Sequence, residues 1–195
     1  IPEMIAVIDT SSLLSLVRYY LPFDKKGVLF EVIKSKISSG EIIMLDAVYE
    51  ESKFVGQKII LTNLDFLTDK EFLKEYKIIA KTDELIPLAP GKFLNMVKNQ
   101  FVANPFQLKK LSESEFEVQK NRFMESADAK LIMYCQYLIK DNPEEEIYLV
   151  TEETSAANDL KLFKKIPAIC AILGISVITL PQLLEKYPEV DLGFE

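Results

Sequence analysis

The sequence predicts an α/β protein, a three-layer α/β/α sandwich built around a mainly parallel sheet of four to five strands. Four short apolar runs, rich in β-branched residues and mostly without polar alternation, are typical of strands that are covered on both faces. Segments of helical periodicity separate these runs, and strands that alternate with helices form parallel sheets. The predicted strands are residues 4–8, 42–45, 147–150 and 175–178.

Several predicted helices have an apolar stripe or recognisable ends. The Thr and Ser side chains of residues 10–12 are good N-terminal caps for a first helix, and Gly40 is favoured at the C-terminus of the second. Ser126 and Asp128 mark the start of the longest helix, which ends near residues 141–143. The predicted helices cover residues 13–17, 28–37, 47–54, 128–141, 155–173 (with an interruption at Pro167) and 180–187.

Residues 60–125 do not follow the alternating pattern. They are charged, helical in periodicity and broken by Pro87, Pro90 and Pro105. We interpret them as an all-helical insertion on the sheet. The chain has 195 residues, and domains typically span roughly 100–200 residues, so residues 1–195 are predicted to form one domain.

The composition excludes several classes of enzyme. The chain has no histidine, which removes Ser-His-Asp hydrolysis, histidine acid–base catalysis and histidine-bound zinc or iron. Its two cysteines, Cys135 and Cys170, form no disulfide framework and favour a cytoplasmic location. The net charge of −7 speaks against broad non-specific binding to nucleic acid, although a local basic groove is compatible with it.

Carboxylates follow the carboxyl ends of three predicted strands, where sites form in open parallel sheets. Asp9 follows the first strand, residues 46–51 follow the second, and Glu152 and Glu153 follow the third. Asp128 opens a helix that packs on the same sheet. Carboxylates that share a pocket repel one another unless a proton or a cation intervenes, and oxygen ligands suit Mg²⁺ or Mn²⁺. Because such ions activate water for attack on a phosphate, the pattern predicts a metal-dependent nuclease.

Each of these acids also has a purely structural interpretation. Asp9, Asp46 and Asp128 are placed to cap helices or to interact with helix dipoles. Glutamates on exposed helices and loops are commonplace. Glu50 and Glu51 lie about 100° apart on a helix, so at most one of them faces a pocket.

The order of four motifs resembles that of the PIN-domain superfamily of metal-dependent ribonucleases. Residues 7–14, VIDTSSLL, resemble its opening motif. Residues 45–51, LDAVYEE, resemble the second, in which a valine is followed three residues later by the catalytic glutamate. Residues 127–132, ADAKLI, resemble the third, and residues 149–153, LVTEE, resemble the fourth. The end of the chain, residues 164–184, is similar to a bacterial PIN-like branch related to VapC-like toxins.

The resemblance covers roughly residues 4–55 and 125–187 and assigns roles to individual side chains. The implied catalytic residues are Asp9, Glu51, Asp128 and Glu153. The implied metal ligands are Asp9, Asp128 and Glu153, and the implied supporting residues are Thr10, Ser11 and Thr151. Two positions depart from the family's usual pattern, since Ser11 stands in place of an asparagine and Glu153 in place of an aspartate.

Other enzyme classes with a functional loop after the first strand fit less well. A haloacid-dehalogenase-like phosphatase needs a second aspartate two residues after the first, where this chain has Ser11. A dinucleotide site and a P-loop need glycines, which residues 9–12 lack. The resemblance therefore implies a Mg²⁺- or Mn²⁺-dependent endoribonuclease, as in the toxin of a toxin–antitoxin module. The alternative is a catalytically weak PIN-fold module that binds RNA or protein.

An RNA substrate beside an acidic pocket requires cations at its rim. The candidate substrate-binding residues are Lys161, Lys164 and Lys165, which are predicted to share or adjoin one helical face near the site. Further candidates are Lys25, Lys26, Lys109, Lys110, Arg122 and Lys130. All of these also have the ordinary interpretation of solvated surface cations. Besides RNA, the resemblance implies an antitoxin protein and a second copy of the chain as partners, and no membrane partner is expected.

Overall fold

The structure, a computed structural model, describes residues 4–155 and 161–190. It confirms the predicted fold class, because helices cover both faces of a parallel sheet in a three-layer α/β/α sandwich. The strands are β1 (Met4–Ile8), β2 (Ile42–Leu45), β3 (Ile79–Ala80), β4 (Glu146–Val150) and β5 (Ser176–Ile178). The helices are α1 (Thr10–Ser15), α2 (Val28–Ser39), α3 (Asp46–Ser52), α4 (Ile59–Asn63), α5 (Lys70–Glu75), α6 (Pro90–Asn99), α7 (Pro105–Lys110), α8 (Glu113–Glu125), α9 (Ala127–Asp141), α10 (Ile166–Leu173) and α11 (Leu180–Glu185). None of the helices in these ranges is long and apolar enough to cross a membrane.

Single irregular turns join some of these helices. A π-helical turn, Leu16–Tyr20, and a 3₁₀ turn, Leu21–Phe23, extend α1. A turn at Val55–Lys58, in which Gly56, Gln57 and Lys58 have left-handed φ angles, precedes α4, and a 3₁₀ turn, Asp65–Thr68, follows it. The short helices of this region thus follow one another with little intervening loop.

The strand order creates a crevice at the centre of the sheet. Within the described residues the sheet has five strands in the order β3-β2-β1-β4-β5, all parallel. The chain passes from β1 to β2 on one side and enters β4 on the other side, so the direction of winding reverses between β1 and β4. Such a reversal leaves a crevice outside the carboxyl ends of the two strands. Because Ile8 pairs with Val150 at that end, the next residues, Asp9 and Thr151, lie side by side.

The central strands form a rigid platform for these residues. Ala6, Val7 and Leu149 are fully buried, as expected for strands covered on both faces. Each large apolar side chain buried in this way contributes about 1.5–3 kcal/mol. The predicted end of α2 is also confirmed, since Gly40 has a φ of 83°, a left-handed conformation that glycine adopts without a steric penalty.

The segment predicted to be an all-helical insertion contains a strand, which corrects that expectation. β3 extends the sheet beyond β2, with Met44 opposite Ile79 and Leu45 opposite Ala80. Two residues are too few to show the alternation that identifies a strand in a sequence. The remainder of residues 60–125 carries most of α4 and the helices α5 to α8.

Asp46 ties this edge strand to the helix that follows β2. Leu45, rather than Asp46, is the N-cap of α3. The Asp46 carboxylate accepts hydrogen bonds from the Thr82 backbone N–H at 2.9 Å and from the Thr82 hydroxyl, and from the Ala47 N–H at 2.8 Å. Burial disfavours its charge, but these hydrogen bonds and the nearby Lys130 hold the pKa of Asp46 below its usual value. Asp46 is therefore a structural residue.

Replacing Asp46 by alanine should destabilise the fold with little effect on a site elsewhere in the crevice. The change leaves the hydroxyl of Thr82, a residue that is 2% exposed, without its acceptor, and an unsatisfied buried polar group costs about 1–3 kcal/mol. We expect urea unfolding to show a loss of that size for Asp46→Ala. The control is Asp83→Ala, which removes a neighbouring exposed carboxylate. Equal losses in the two variants would contradict the structural role of Asp46.

The helix predicted for residues 155–173 begins only at Ile166, which corrects that prediction. Pro167 lies in the first turn of α10, where its fixed φ and missing N–H are tolerated, so the proline starts the helix instead of interrupting it. Phe163 forms an isolated antiparallel bridge with Val102, and the Lys164 N–H donates to the Phe101 carbonyl at 2.8 Å. Residues 161–165 are therefore non-helical, and residues 156–160 lie outside the described part of the chain.

Candidate active site

Asp9 lies in the crevice between β1 and β4. Its side chain is 6% exposed, and its Oδ2 accepts hydrogen bonds from Ser11 Oγ at 2.7 Å and from Thr151 Oγ1 at 2.8 Å. Its backbone N–H donates to the Val150 carbonyl at 3.0 Å. Within the described residues both side-chain hydrogen bonds reach the same oxygen, so Oδ1 keeps its lone pairs for another ligand.

The two hydroxyls that orient Asp9 are themselves held by backbone groups. Ser11 Oγ accepts from the Glu152 N–H and Thr151 Oγ1 accepts from the Glu153 N–H, both at 3.1 Å. Each hydroxyl thus accepts from the backbone and gives its single proton to Asp9. Ser11 therefore makes both a donor and an acceptor contact in this network.

Thr10 brings Glu51 to the same edge of the sheet. The Thr10 hydroxyl donates to Glu51 Oε2 at 2.6 Å, which joins α1 to α3 beside Asp9. Glu51 is exposed to solvent. Its neighbour Glu50 instead pairs with Lys53 through a contact of 2.5 Å between Lys53 Nζ and Glu50 Oε1. Of the two glutamates, Glu51 is the one that lies with the other predicted acids.

Glu152 and Glu153 have different positions after β4. Glu152 Oε1 accepts from the Leu180 N–H at 2.6 Å and so contacts the start of α11. Glu153 Oε2 accepts from the Ile166 N–H at 3.3 Å, at the start of α10, and Glu153 also lines a cleft with Asp128. Glu153 is therefore the glutamate of this pair that belongs to the candidate site.

Asp128 provides the clearest electrostatic signature of the site. It lies in the first turn of α9, where Ser126 is the N-cap and accepts from the Ala129 N–H at 3.2 Å. Burial, and then the negative charges of Glu153, Asp9 and Glu51, raise the pKa of Asp128 to about 7, and Lys161 partly offsets this rise. The structure thus brings the other three predicted acids close enough to Asp128 for their charges to act on it.

The donor set suits a hard divalent cation. It consists of carboxylate and hydroxyl oxygens, which Mg²⁺ and Mn²⁺ prefer. Burial, and after it the charges of the acidic neighbours, raise the pKa of Asp128. Among the residues that the structure describes, however, no three acidic or cysteine side chains are close enough to form a ready-made metal site. Asp9, Asp128 and Glu153 are the residues that would hold such an ion.

A cleft of about 600 Å³ extends away from Asp128 and Glu153. One wall comes from α7, α8 and the start of α9, and the other from residues 161–165. Cationic side chains line both walls. These cations are Lys110, Arg122, Lys161, Lys164 and Lys165. The cleft therefore joins an acidic end to basic walls within a chain that is acidic as a whole.

The candidate substrate-binding lysines line this cleft, but not on a helical face as predicted. Lys161 is exposed, and Lys164 and Lys165 are half-buried, in the non-helical segment before α10. Lys164 Nζ donates to the Gln100 carbonyl at 2.8 Å, so this side chain is held against the protein. Lys161 and Lys165 are the cations of this wall that are better placed to meet a ligand.

The helical segment supplies residues that sequence reasoning did not assign to the site. The cleft is lined by Lys110 and Arg122, which the sequence offers only as further candidate RNA-binding cations. It is also lined by Gln107, Leu111 and Gln119, to which the sequence analysis gives no role. The remaining candidates, Lys25, Lys26, Lys109 and Lys130, are not among its described lining residues. Helical periodicity shows which face of a helix is polar, but it does not show what that face approaches.

One comparison with known proteins gives a match. A family model described as a domain of unknown function (DUF4411) matches residues 81–189, which is more than half of the chain. The match includes Asp128, Glu153 and every described residue that lines the cleft, whereas Asp9 and Glu51 lie outside it. No curated protein and no solved structure matches the chain.

Proposed function

We propose that this chain, which belongs to the DUF4411 family, is a ribonuclease that hydrolyses RNA phosphodiesters with Mg²⁺ or Mn²⁺ held by its carboxylate cluster. The proposal is carried by the proximity of Asp9, Glu51 and Glu153 to Asp128 at one edge of the sheet. Burial, and then the charges of these three neighbours, raise the pKa of Asp128 to about 7. Repulsion among carboxylates is relieved when a cation binds between them. Strongly perturbed acids beside a cleft are also typical of catalytic sites.

The chain's own residues have distinct parts in this proposal. A bound Mg²⁺ or Mn²⁺ would supply an activated water and stabilise the negative charge that develops on the phosphate. Ser11 and Thr151 hold Asp9 in one orientation. The chain has no histidine, and a carboxylate can accept the proton that leaves the water. We assign that part to Glu51, which is solvent-exposed and oriented by Thr10.

The PIN-like identity and the partners stay predictions. The sequence motifs imply a relation to VapC-like toxins, and from that relation we propose an antitoxin protein and a second copy of the chain as partners. The basic walls of the cleft support RNA as the substrate. The proposed setting is the cytoplasm, where free cysteines such as the buried Cys135 and Cys170 stay reduced.

A catalytically weak binding module is the second candidate. It is favoured by the lack of a ready-made group of three metal-binding side chains within the described residues. It is also favoured by Glu153, because one of its carboxylate oxygens accepts from the Ile166 N–H. Such a module would hold RNA on its cationic side chains without cleaving it.

A cleavage assay on end-labelled RNA separates the two candidates. We expect cleavage with Mg²⁺ or Mn²⁺, none with a chelator, and a loss of about 100-fold or more for Glu51→Gln, as for removal of a proton acceptor. The matched control is Glu50→Gln, which removes the same charge from the adjacent residue and should retain activity because Glu50 pairs with Lys53. RNA binding without metal-dependent cleavage would favour the binding module.

A further inference from the structure

Glu153 connects the acidic end of the cleft to the start of α10. Its Oε2 accepts from the Ile166 N–H at 3.3 Å, and its charge has the largest effect of the three neighbouring acids on Asp128. Its own backbone N–H donates to Thr151 Oγ1 at 3.1 Å, which holds the main chain and leaves the side chain as the part that can move. The carboxylate of Glu153 therefore lies between a helix N-terminus and a group of acids that suits a cation.

The first turn of α10 has one N–H group that depends on this contact. Pro167 has no N–H, and the N–H groups of residues 168 and 169 donate to the Lys165 carbonyl at 3.1 and 3.2 Å. Among the described residues, the N-cap residue Lys165 gives no side-chain hydrogen bond to the helix. Ile166 is buried, and a buried N–H needs an acceptor. Glu153 supplies that acceptor from a different part of the chain.

The hydrogen bond to Glu153 is longer than those that hold Glu51 and Asp9. The Thr10 hydroxyl donates to Glu51 at 2.6 Å, and Asp9 accepts from two hydroxyls at 2.7 and 2.8 Å. The contact of 3.3 Å at Glu153 lies just beyond the usual N–H···O range of roughly 2.7–3.2 Å. Within the described residues no three acids are already close enough to hold a metal, so one of them has to move when three bind an ion. Glu153 is the one held least tightly.

We propose that the Glu153 carboxylate moves from the Ile166 N–H to a bound Mg²⁺ or Mn²⁺, and that this movement releases the start of α10. This inference rests on the proposed function, because it concerns the same cation site, and it adds a regulatory link to that site. Residues 161–165, which carry Lys161 and Lys165 into the cleft, lead directly into α10. The basic wall is therefore held at its α10 end in the metal-free protein and released there by the cation.

The other anchors of this wall do not involve an acid of the site. The Ala103 N–H donates to the Leu162 carbonyl at 2.7 Å, and the Lys164 N–H donates to the Phe101 carbonyl at 2.8 Å. Both contacts join backbone groups, so a cation at the acidic end does not compete for them. The release is therefore expected at residues 165 and 166, while residues 162–164 stay attached.

Amide hydrogen exchange, followed by NMR on the full chain with Mg²⁺ and with a chelator, tests this link. We expect the Ile166 N–H to exchange about 5- to 10-fold faster with saturating Mg²⁺, as for the loss of one hydrogen bond of typical net strength. The matched control amide is Ala129 at the start of α9, which donates to its N-cap residue Ser126 at 3.2 Å. Its exchange should stay unchanged or become slower, because a ligand that binds only the folded state stabilises it.

Three variants identify the carboxylate that responds. Glu153→Gln keeps an oxygen that can accept from the Ile166 N–H but removes the charge, so Mg²⁺ should no longer accelerate exchange at this amide. Glu153→Ala removes the acceptor, so the Ile166 N–H should exchange fast with and without Mg²⁺. The control is Glu152→Gln, which removes the adjacent charge from a side chain that contacts the Leu180 N–H. It should respond to Mg²⁺ like the unchanged protein.

The outcomes separate this link from the proposed function. If Mg²⁺ raises the melting temperature but leaves the exchange of Ile166 unchanged or slower, the link is wrong, as it is if Glu153→Gln responds like the unchanged protein. Metal-dependent RNA cleavage in the same samples would still support the nuclease. Faster exchange at Ile166 without RNA cleavage supports the link and overturns the nuclease. An absence of Mg²⁺ binding at millimolar concentration would overturn both.

Discussion

Asp9→Asn should reduce metal-dependent RNA cleavage by at least about 100-fold while leaving the metal-free protein as stable as before. Removing a group that only orients a metal ligand typically lowers metal affinity or activity about 10–100-fold. Asp9 is itself a proposed ligand, so removing its charge should have at least the larger of these effects. The substitution preserves the shape of the side chain. In the unchanged protein the Ser11 and Thr151 hydroxyls donate to Asp9 Oδ2, and the amide oxygen of an asparagine can accept the same two hydrogen bonds. Loss of one negative charge also reduces the repulsion with Asp128.

Initial cleavage rates and thermal unfolding with a chelator are the two measurements. Glu152→Gln is the matched control, because it removes a charge close to the site from a side chain that contacts the start of α11 through the Leu180 N–H. It should retain most of the activity. Cleavage that persists in Asp9→Asn at the unchanged rate would remove Asp9 from the site, and a large fall in melting temperature would show that Asp9 is mainly structural.

The fold and the acidic half of the site are readable from the sequence because the signals are local. An apolar, β-branched run such as Val7–Ile8 before Asp9 marks a buried strand. Parallel strands align their carboxyl ends, so acids after such strands meet at one edge. The structure places Asp9, Glu51 and Glu153 close enough to Asp128 for their charges to act on it.

The basic half of the site depends on packing between segments that are distant in the sequence. Local sequence patterns do not predict such packing. Residues 161–165 are lysine-rich and look helical, yet the Phe101 carbonyl accepts from the Lys164 N–H and holds the segment in a non-helical conformation. Similarly, β3 exists because Ile79 and Ala80 pair with β2. No periodicity within two residues could predict that pairing.

The roles of adjacent acids were also decided by tertiary contacts. Asp46 follows a strand as Asp9 does, but it binds Thr82 and stabilises the edge of the sheet. Glu50 and Glu51 differ by one position on α3, and only Glu51 contacts Thr10. Spacing along the chain therefore limits which acids can belong to the site, and their hydrogen-bond partners in the structure show which of them do.

The metal-free protein should become less stable as the pH rises toward 7, because Asp128 ionises at a higher pH in the folded state than in the unfolded chain. Its pKa is raised from the ordinary 3.8 to about 7 by burial and by Glu153, Asp9 and Glu51. Below about pH 3.8, the pKa of Asp128 in the unfolded chain, this carboxyl group is protonated in both states and does not reduce the free energy of unfolding. Between the two values the unfolded state releases its proton more readily, so folding stability falls as pH rises. Above the folded pKa the full cost of the buried charge persists.

Asp128→Asn should remove this cost, since asparagine stays neutral at every pH. A shift of one pKa unit corresponds to about 1.4 kcal/mol, so the rise from 3.8 to about 7 sets an upper bound of about 4 kcal/mol. Because Asp128 is only half-buried, solvent screens part of this cost. We therefore expect the variant to gain on the order of 3 kcal/mol over the unchanged protein at about pH 8.5 and little at about pH 4. Urea unfolding with a chelator across this range measures the difference. Asp141→Asn, at the other end of α9 and exposed, is the control and should shift stability by only a few tenths of a kcal/mol.

The same pair of proteins tests whether a cation relieves the repulsion. At about pH 8.5, millimolar Mn²⁺ or Mg²⁺ should raise the melting temperature of the unchanged protein, because a ligand that binds only the folded state stabilises it by mass action. Asp128→Asn should gain less from the metal, since it has lost both a ligand and the repulsion that the ion removes. A stability difference that does not change with pH would refute the electrostatic coupling of Asp128. An equal rise in melting temperature for both proteins would place the ion elsewhere.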